Sequence, residues 1–334
     1  MMQASTLAHP GAARASRLGA RLAKVRNRIY HRYFKFPHER RRYYEALCRG
    51  AHPFSARTRA ALAAQLENNR SYTGDSATLA TQGHFTWSGE NGHPLSDAVV
   101  DEARAMLNAG ALKEMKAACR ERQLNLAVRR VDGEMRADSP LLRFALDARV
   151  LATATRYLGV LPVLDGIYLW YSPNERLSSD RNSSQLFHID PTGYRELKMF
   201  VHVDDVSTDS GPLTIVPAPA SRKLYPFFAH QTGSIGDEEV ERIVGRDCIV
   251  PLTGPTGTVS GADTSTCFHF GSRQGTRDRL LVHFHFMSPY VPRFPFFGRL
   301  HNDRFVHIVN EDTPLRERWV LGCNQADGWA RSSG

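Results

Sequence analysis

The chain has 334 residues, 42% of them hydrophobic, so it can bury a full core; disorder is excluded, and one large domain or two small ones fit. No run approaches the roughly 18 uninterrupted apolar residues of a membrane span, and no apolar stretch follows the first positive residues as a secretory signal requires. Residues 1–60 hold 14 Lys/Arg against Glu39 and Glu45, a net of +12; with +9 for the whole chain, the other 274 residues carry −3, which excludes a basic nucleic-acid-binding body.

Five cysteines (Cys48, Cys119, Cys248, Cys267, Cys323) are scattered and form no CxxC. That pattern fits a reducing compartment and argues against a disulfide framework or a zinc ribbon, so a cytoplasmic protein is expected.

After a loose Ala/Ser/Gly-rich start, a helix is predicted over 17–36. Leu18, Leu22, Val25, Ile29, Tyr33 and Phe36 form its apolar stripe, and Arg17, Arg21, Lys24, Arg28, Arg32 and Lys35 flank it one residue earlier. Three readings stay open: a helix packed on the body with a solvated basic edge, peripheral contact with an anionic membrane, or a targeting peptide. The basic runs "HERRR" and "ARTRA" read most simply as solvated faces. Residues 1–60 are thus a basic helical extension, and 61–334 a single domain.

Two further helical stretches follow. In "SDAVVDEARAMLNAGALKEMKAACRERQL", Ser96 is the expected N-cap and Gly110 a possible break. In "SPLLRFALDARVLATATRYLG", Ser139 caps, Pro140 takes the first helical position and Gly159 stops the helix. The stripe Leu141, Phe144, Ala145, Ala148, Leu151, Thr155, Leu158 should pack on a sheet.

Beyond Gly159 short β-rich runs dominate: "GIYLWYS", "LKMFVHVDDV", "GPLTIVP", "DCIVPL", "TGTVSG", "TCFHF" and "RLLVHFHFMSPY". Helices first and many short strands later predict a mostly β fold with flanking helices. The expected core is an antiparallel double-stranded β-helix, a jelly-roll or cupin-like barrel, over about 160–290.

His-x-Asp occurs twice, at His188/Asp190 and at His202/Asp204. Fourteen histidines and 34 acids make such pairs expected by chance, so context decides. His202 lies mid-strand in "MFVHVDDV". His188 sits between a polar loop and the turn Pro191-Thr192-Gly193, where a strand end can be reached by small molecules. Residues 188 and 190 also share one side of an extended chain. His188 and Asp190 are therefore the expected metal ligands, and His202 a structural residue.

A ferrous facial site needs a third ligand, usually histidine. His269, His283 and His285 are available, and His269 again stands at a strand end. In "RLLVHFHF", alternation sets Arg279, Leu281, His283 and His285 on one face and Leu280, Val282, Phe284 and Phe286 on the other. The apolar second face should lie under helices, so Arg279 faces the barrel interior. A guanidinium there is costly unless an anion meets it.

The segments "SQLFHID", "LKMFVHVDDVSTDSGPLTIVP" and "TCFHFGSRQGTRDRLL", within about residues 165–290, resemble the phytanoyl-CoA dioxygenase family of Fe(II)/2-oxoglutarate oxygenases. The resemblance implies an iron triad of His188, Asp190 and His269, with O2 as cosubstrate. It also implies Arg279 as the partner of the distal carboxylate of 2-oxoglutarate. His188 and His269 are 81 residues apart, and Arg279 follows His269 by ten. Succinate and CO2 are the implied co-products, and the presence of Asp190 favours hydroxylation over halogenation. The chain departs from the family at Ala218–Arg222, where Gly-Ser-His is common, and Arg273 and Arg277 compete with Arg279.

Tyr168, Trp170 and Gln185 are candidate walls for cosubstrate or substrate, or else packing residues. Lys198 could assist a carboxylate but reads more simply as a rim charge. Phe294, Phe296 and Phe297 could cap the pocket, and Cys267 reads as a small buried hydrophobe. The implied substrate is small or lipid-like. Two other readings remain: an inactive barrel binding a metal or anion and docked through its basic helix, and a cupin-type metalloenzyme using His202, His283 or His285.

Overall fold

The structure, a computed structural model, describes residues 38–67, 73–175, 177, 183–190, 192–228, 235–273, 275–291 and 303–323. The helix expected over 17–36 and Phe294, Phe296 and Phe297 lie outside them. The helices are α1 His38–Ala51, α2 Pro53–Glu67, α3 Thr73–Gln82, α4 Ser96–Met106, α5 Ala109–Arg122, α6 Pro140–Leu146, α7 Ala148–Leu158, α8 Ala218–Phe228, α9 Asp237–Val244 and α10 Leu315–Val320. The strands are β1 His84–Trp87, β2 Ala127–Arg130, β3 Val163–Ser172, β4 Glu196–His202, β5 Thr214–Ile215, β6 Val250–Pro251, β7 Val259–Ala262, β8 His269–Phe270 and β9 Arg279–Met287.

All strand pairs are antiparallel. The larger sheet runs β1-β7-β4-β9-β3-β2 and the smaller β6-β5-β8. Helices hold more of the described residues than strands do, a larger share than "mostly β" anticipates. The surplus is the helical layer that covers the large sheet. Among the described residues no helix is long and apolar enough to cross a membrane.

Period-two alternation sets the layers. Leu197, Met199 and Val201 of β4 and Val282, Phe284 and Phe286 of β9 face the main core. There α4 lies against both strands and α7 against β4, and Phe144 meets Phe284 at 4.8 Å between ring centroids. The opposite face of the same strands carries Lys198, Phe200, Arg279 and Leu281, which line a cavity. The outer side of the small sheet is sealed by a second cluster that includes Phe187, Val216, Leu224, Val240 and Phe268.

Two expected long helices are each split, and the split has a local cause. Asn108 accepts the N–H groups of Gly110 and Ala111 at 3.1 and 3.0 Å, so its side chain starts α5; the break falls before Gly110, not at it. Asp147 accepts the N–H of Arg149 at 2.8 Å and starts α7 in the same way. Ser139 caps α6 with Pro140 at the first position, and Gly159 ends α7 at φ 68°. Ser96 is not a cap: it is the buried first residue of α4, preceded by Leu95 with no side-chain cap.

The basic runs are only partly solvated. Arg42 and Arg57 are exposed, but Arg41 is 2% and Arg59 0% exposed. Arg59 donates to the carbonyls of Leu161, Pro162 and Trp319 at 2.9, 3.2 and 3.0 Å and stacks over the Trp319 ring. A guanidinium surrounded by backbone oxygens has exchanged water for carbonyl acceptors, which makes its burial tolerable.

Candidate metal centre and anion pocket

The site is built on one backbone pairing. His188 and His269 oppose each other across an isolated antiparallel bridge. They exchange both N–H···O bonds, at 3.0 and 2.9 Å. Residues paired this way project their side chains to the same face, and the two imidazoles lie 4.3 Å apart between centroids. Asp190, two residues beyond His188, is fixed by its own N–H, which donates to the Thr264 carbonyl at 2.8 Å.

Each imidazole is oriented by a neighbouring carbonyl. His188 Nδ1 faces Leu186 O at 2.8 Å, and His269 Nδ1 faces Cys267 O at 3.0 Å. A carbonyl only accepts, so Nδ1 carries the proton and Nε2 the lone pair. Those lone pairs converge on the Asp190 carboxylate: His188 Nε2 is 3.9 Å from Oδ1 and His269 Nε2 is 3.6 Å from Oδ2. One donor atom from each residue lies within 4.8 Å of the others. Among the described residues no other such cluster occurs. Burial pushes the His269 imidazole down to about 3, helped by His188 and Lys198 and opposed by Asp190. It is therefore a neutral donor at neutral pH. Two imidazole nitrogens with one carboxylate suit Fe(II) in the facial arrangement.

Asp190 is charged despite its surroundings. Burial works against the carboxylate, but Lys198, His269 and His188 outweigh it and hold its pKa well below the usual range. The Lys198 ammonium is paired with Asp190 Oδ2 and lies 3.8 Å from Glu196 Oε1. Glu196 in turn meets His285 Nε2 at 2.8 Å and the Thr264 hydroxyl at 2.6 Å. Lys198 is thus no rim charge; it is the inward counter-ion of a proposed ligand.

A cavity of about 150 Å³ opens beside the triad, lined among others by Trp170, Phe200, Leu213, Leu281 and Arg279. Arg279 is 3% exposed, and burial lowers its pKa to about 10. Its guanidinium donates to Gly211 O and, at 3.0 and 2.9 Å, to the hydroxyls of Ser172 and Ser272. Among the described residues its Nε–H and the indole N–H of Trp170 have no partner. Two unsatisfied buried donors on residues that line one cavity call for an acceptor that the described residues do not supply. No protein carboxylate pairs with Arg279 among the described residues, so its charge is matched by none of them.

The other candidates stand elsewhere. Arg273 grips Asp237 bidentately at 2.9 and 2.6 Å, and Arg277 is exposed. Gln185 donates to Ser272 O at 2.9 Å and supports the wall from behind. Tyr168 is stacked between Arg130 and His283 and does not line the cavity. His202 contacts Gly254 O and Ser260, and Asp204 pairs with Arg104, both apart from the triad. His283 is enclosed by aromatic rings, and His285 serves Glu196.

Three site residues escape a reading of the sequence. Ser272 adopts φ +54°, a strained conformation for a serine, and its hydroxyl reaches Arg279. Ser172 ends β3 opposite Arg279 in the sheet register. Gly211, at φ +61°, offers Arg279 its carbonyl; a Cβ there would lie 2.1 Å from Arg273 O, so only glycine fits. The Gly before "PLT" was the one available signal.

No family model matches the chain, and no curated protein matches it. Solved structures that match the chain include EctD from S. alaskensis with 2-oxoglutarate and 5-hydroxyectoine, at 21% identity and a TM-score of 0.47, covering 75% of this chain and 82% of that one. SnoN, a non-heme alpha-ketoglutarate-dependent epimerase from nogalamycin biosynthesis, matches at 17% and 0.42, over 68% and 84%. HygX from Streptomyces hygroscopicus, with nickel, 2-oxoglutarate and hygromycin B bound, matches at 15% and 0.40, over 66% and 90%.

Proposed function

We propose that this chain is an Fe(II)/2-oxoglutarate-dependent oxygenase of the phytanoyl-CoA dioxygenase type that hydroxylates a small or lipid-like molecule. One observation carries the reading: a His188–Asp190–His269 triad opens on a cavity that also presents a buried guanidinium with no carboxylate partner among the described residues. The triad would hold iron through two Nε2 atoms and the Asp190 carboxylate. Iron bound there supplies O2 activation coupled to decarboxylation of 2-oxoglutarate to succinate and CO2.

The chain's own residues bind and orient. Arg279 and the Trp170 N–H meet the distal carboxylate, while Phe200, Leu213 and Leu281 keep water from its methylenes. Lys198 stands between Asp190, its closest counter-ion, and Glu196, so its ammonium offsets carboxylate charge beside the triad. At about 150 Å³ the cavity suits a small dicarboxylate and falls below the roughly 300 Å³ where drug-sized ligands begin. Anaerobic titration with Fe(II) and 2-oxoglutarate, followed by succinate detection against a metabolite extract, tests the assignment. No binding and no succinate would refute it.

The cytoplasm and peripheral attachment to an anionic membrane through 17–36 complete the proposal. On the described side of that segment Tyr43, Leu47 and Phe54 are all more than half exposed. They put apolar side chains at the surface of α1 and α2, which also carry the exposed Arg42, Arg49 and Arg57. Deleting residues 1–36 should leave turnover of a soluble substrate intact and weaken co-sedimentation with vesicles containing anionic lipid. Unchanged sedimentation would make the segment a packing element.

A further inference from the structure

Asp190 is held from three directions. Its carboxylate is paired with Lys198, its N–H is bound by Thr264 O, and its carbonyl accepts a hydrogen bond from Arg41 at 3.0 Å. The same Arg41 nitrogen, Nη1, donates to Gly193 O at 3.0 Å. Arg41 lies on α1, 149 residues before Asp190 in the chain, and is 2% exposed. One carbonyl is that of the ligand Asp190 and the other that of Gly193, three residues on, which is packed so tightly that a Cβ would lie 2.9 Å from Val291.

We propose that Arg41 is a positioning residue for the metal-binding carboxylate, so that α1 is a working part of the site. The proposal rests on the triad being the metal centre. A strand end after an isolated bridge has no ladder to fix it, since the pairing with His269 stops at His188. Beyond it the Asp190 N–H is held by Thr264 O, and the carbonyl side of the segment is held by Arg41. Arg41 donates to both carbonyls from one nitrogen, the bond to Gly193 O buried and the bond to Asp190 O partly so. Partners of this kind behind a ligand typically affect metal affinity 10- to 100-fold when removed.

Arg59 provides the control. It too is a buried arginine from the N-terminal helices that donates to carbonyls, but its partners Leu161, Pro162 and Trp319 lie outside the triad and the cavity lining. Removing either guanidinium should lower thermal stability. Only Arg41 should change metal binding.

The test is Mn(II) titration of the full chain, followed by the electron paramagnetic resonance of the free ion, with no turnover required. Arg41→Met should bind Mn(II) about tenfold or more weakly, and Arg59→Met should bind as the wild type does. Arg41→Lys keeps the charge but ends one bond short, so it should fall between wild type and Arg41→Met while remaining folded. Wild-type affinity in Arg41→Lys and Arg41→Met would overturn the proposal, as would an equal loss in Arg59→Met. If Arg41→Met does not fold, Arg41→Lys alone decides. His188→Ala should abolish binding; if it does not, the metal-centre reading itself falls, and this one with it.

Discussion

Arg279→Gln should raise the half-saturating 2-oxoglutarate concentration by roughly 10- to 150-fold and leave iron affinity near the wild-type value. The estimate follows from losing a charge-assisted hydrogen bond, about 1.5–3 kcal/mol. Arg279 is fixed by Gly211 and two serine hydroxyls, so it meets a ligand without first being ordered. Glutamine is shorter and uncharged, and cannot offer parallel N–H donors. Succinate formation against 2-oxoglutarate concentration measures the effect. Arg277→Gln should be silent because Arg277 is exposed, and Arg273→Gln should act on stability through Asp237. If Arg279→Gln is also silent, 2-oxoglutarate is not the cosubstrate.

Asp190→Ala should abolish metal binding and turnover, and the structure adds a second effect. A ligand at a strand end contributes little packing, so the sequence alone suggests that the fold survives untouched. Asp190 is, however, the closest counter-ion of Lys198, whose side chain is 13% exposed. Breaking such a pair leaves an inward ammonium uncompensated, at a cost of roughly 3 kcal/mol. Glu196 at 3.8 Å moderates the loss. Urea unfolding of the metal-free protein should therefore show Asp190→Ala less stable than His188→Ala, although neither binds metal. Adding Lys198→Met to Asp190→Ala should recover stability and not binding. Equal midpoints for the two single variants would mean that Lys198 relaxes to water.

The parts of this fold that could be read in advance are those where a period or a cap is local. Alternation in "RLLVHFHF" separates Arg279 and Leu281 from Val282, Phe284 and Phe286, and the two faces meet the cavity and the helical layer accordingly. Ser139, Pro140 and Gly159 mark helix ends because capping needs only neighbours. Strands β1 and β2, four residues each, are too short to show a period. Arg41 and Arg59 are hidden for another reason: a basic run looks the same whether a guanidinium meets water or a distant carbonyl. For Lys198 the sequence leaves a carboxylate partner and a rim charge both open, because which carboxylate it meets is set by the fold. Tyr168 and Trp170 share a strand face, yet only Trp170 reaches the cavity, because depth along a strand depends on the opposing sheet.

The His188–His269 bridge also bears on how the chain folds. Its two residues are 81 positions apart, so closing it carries the loop entropy of a long, late contact. A slip of one residue in that pairing would turn an imidazole to the opposite face and dismantle the triad. Metal affinity acquired during refolding is therefore a clock for register: it should rise only in the slowest phase, after secondary structure has formed, and a chain trapped in the wrong register would reveal itself by failing to bind.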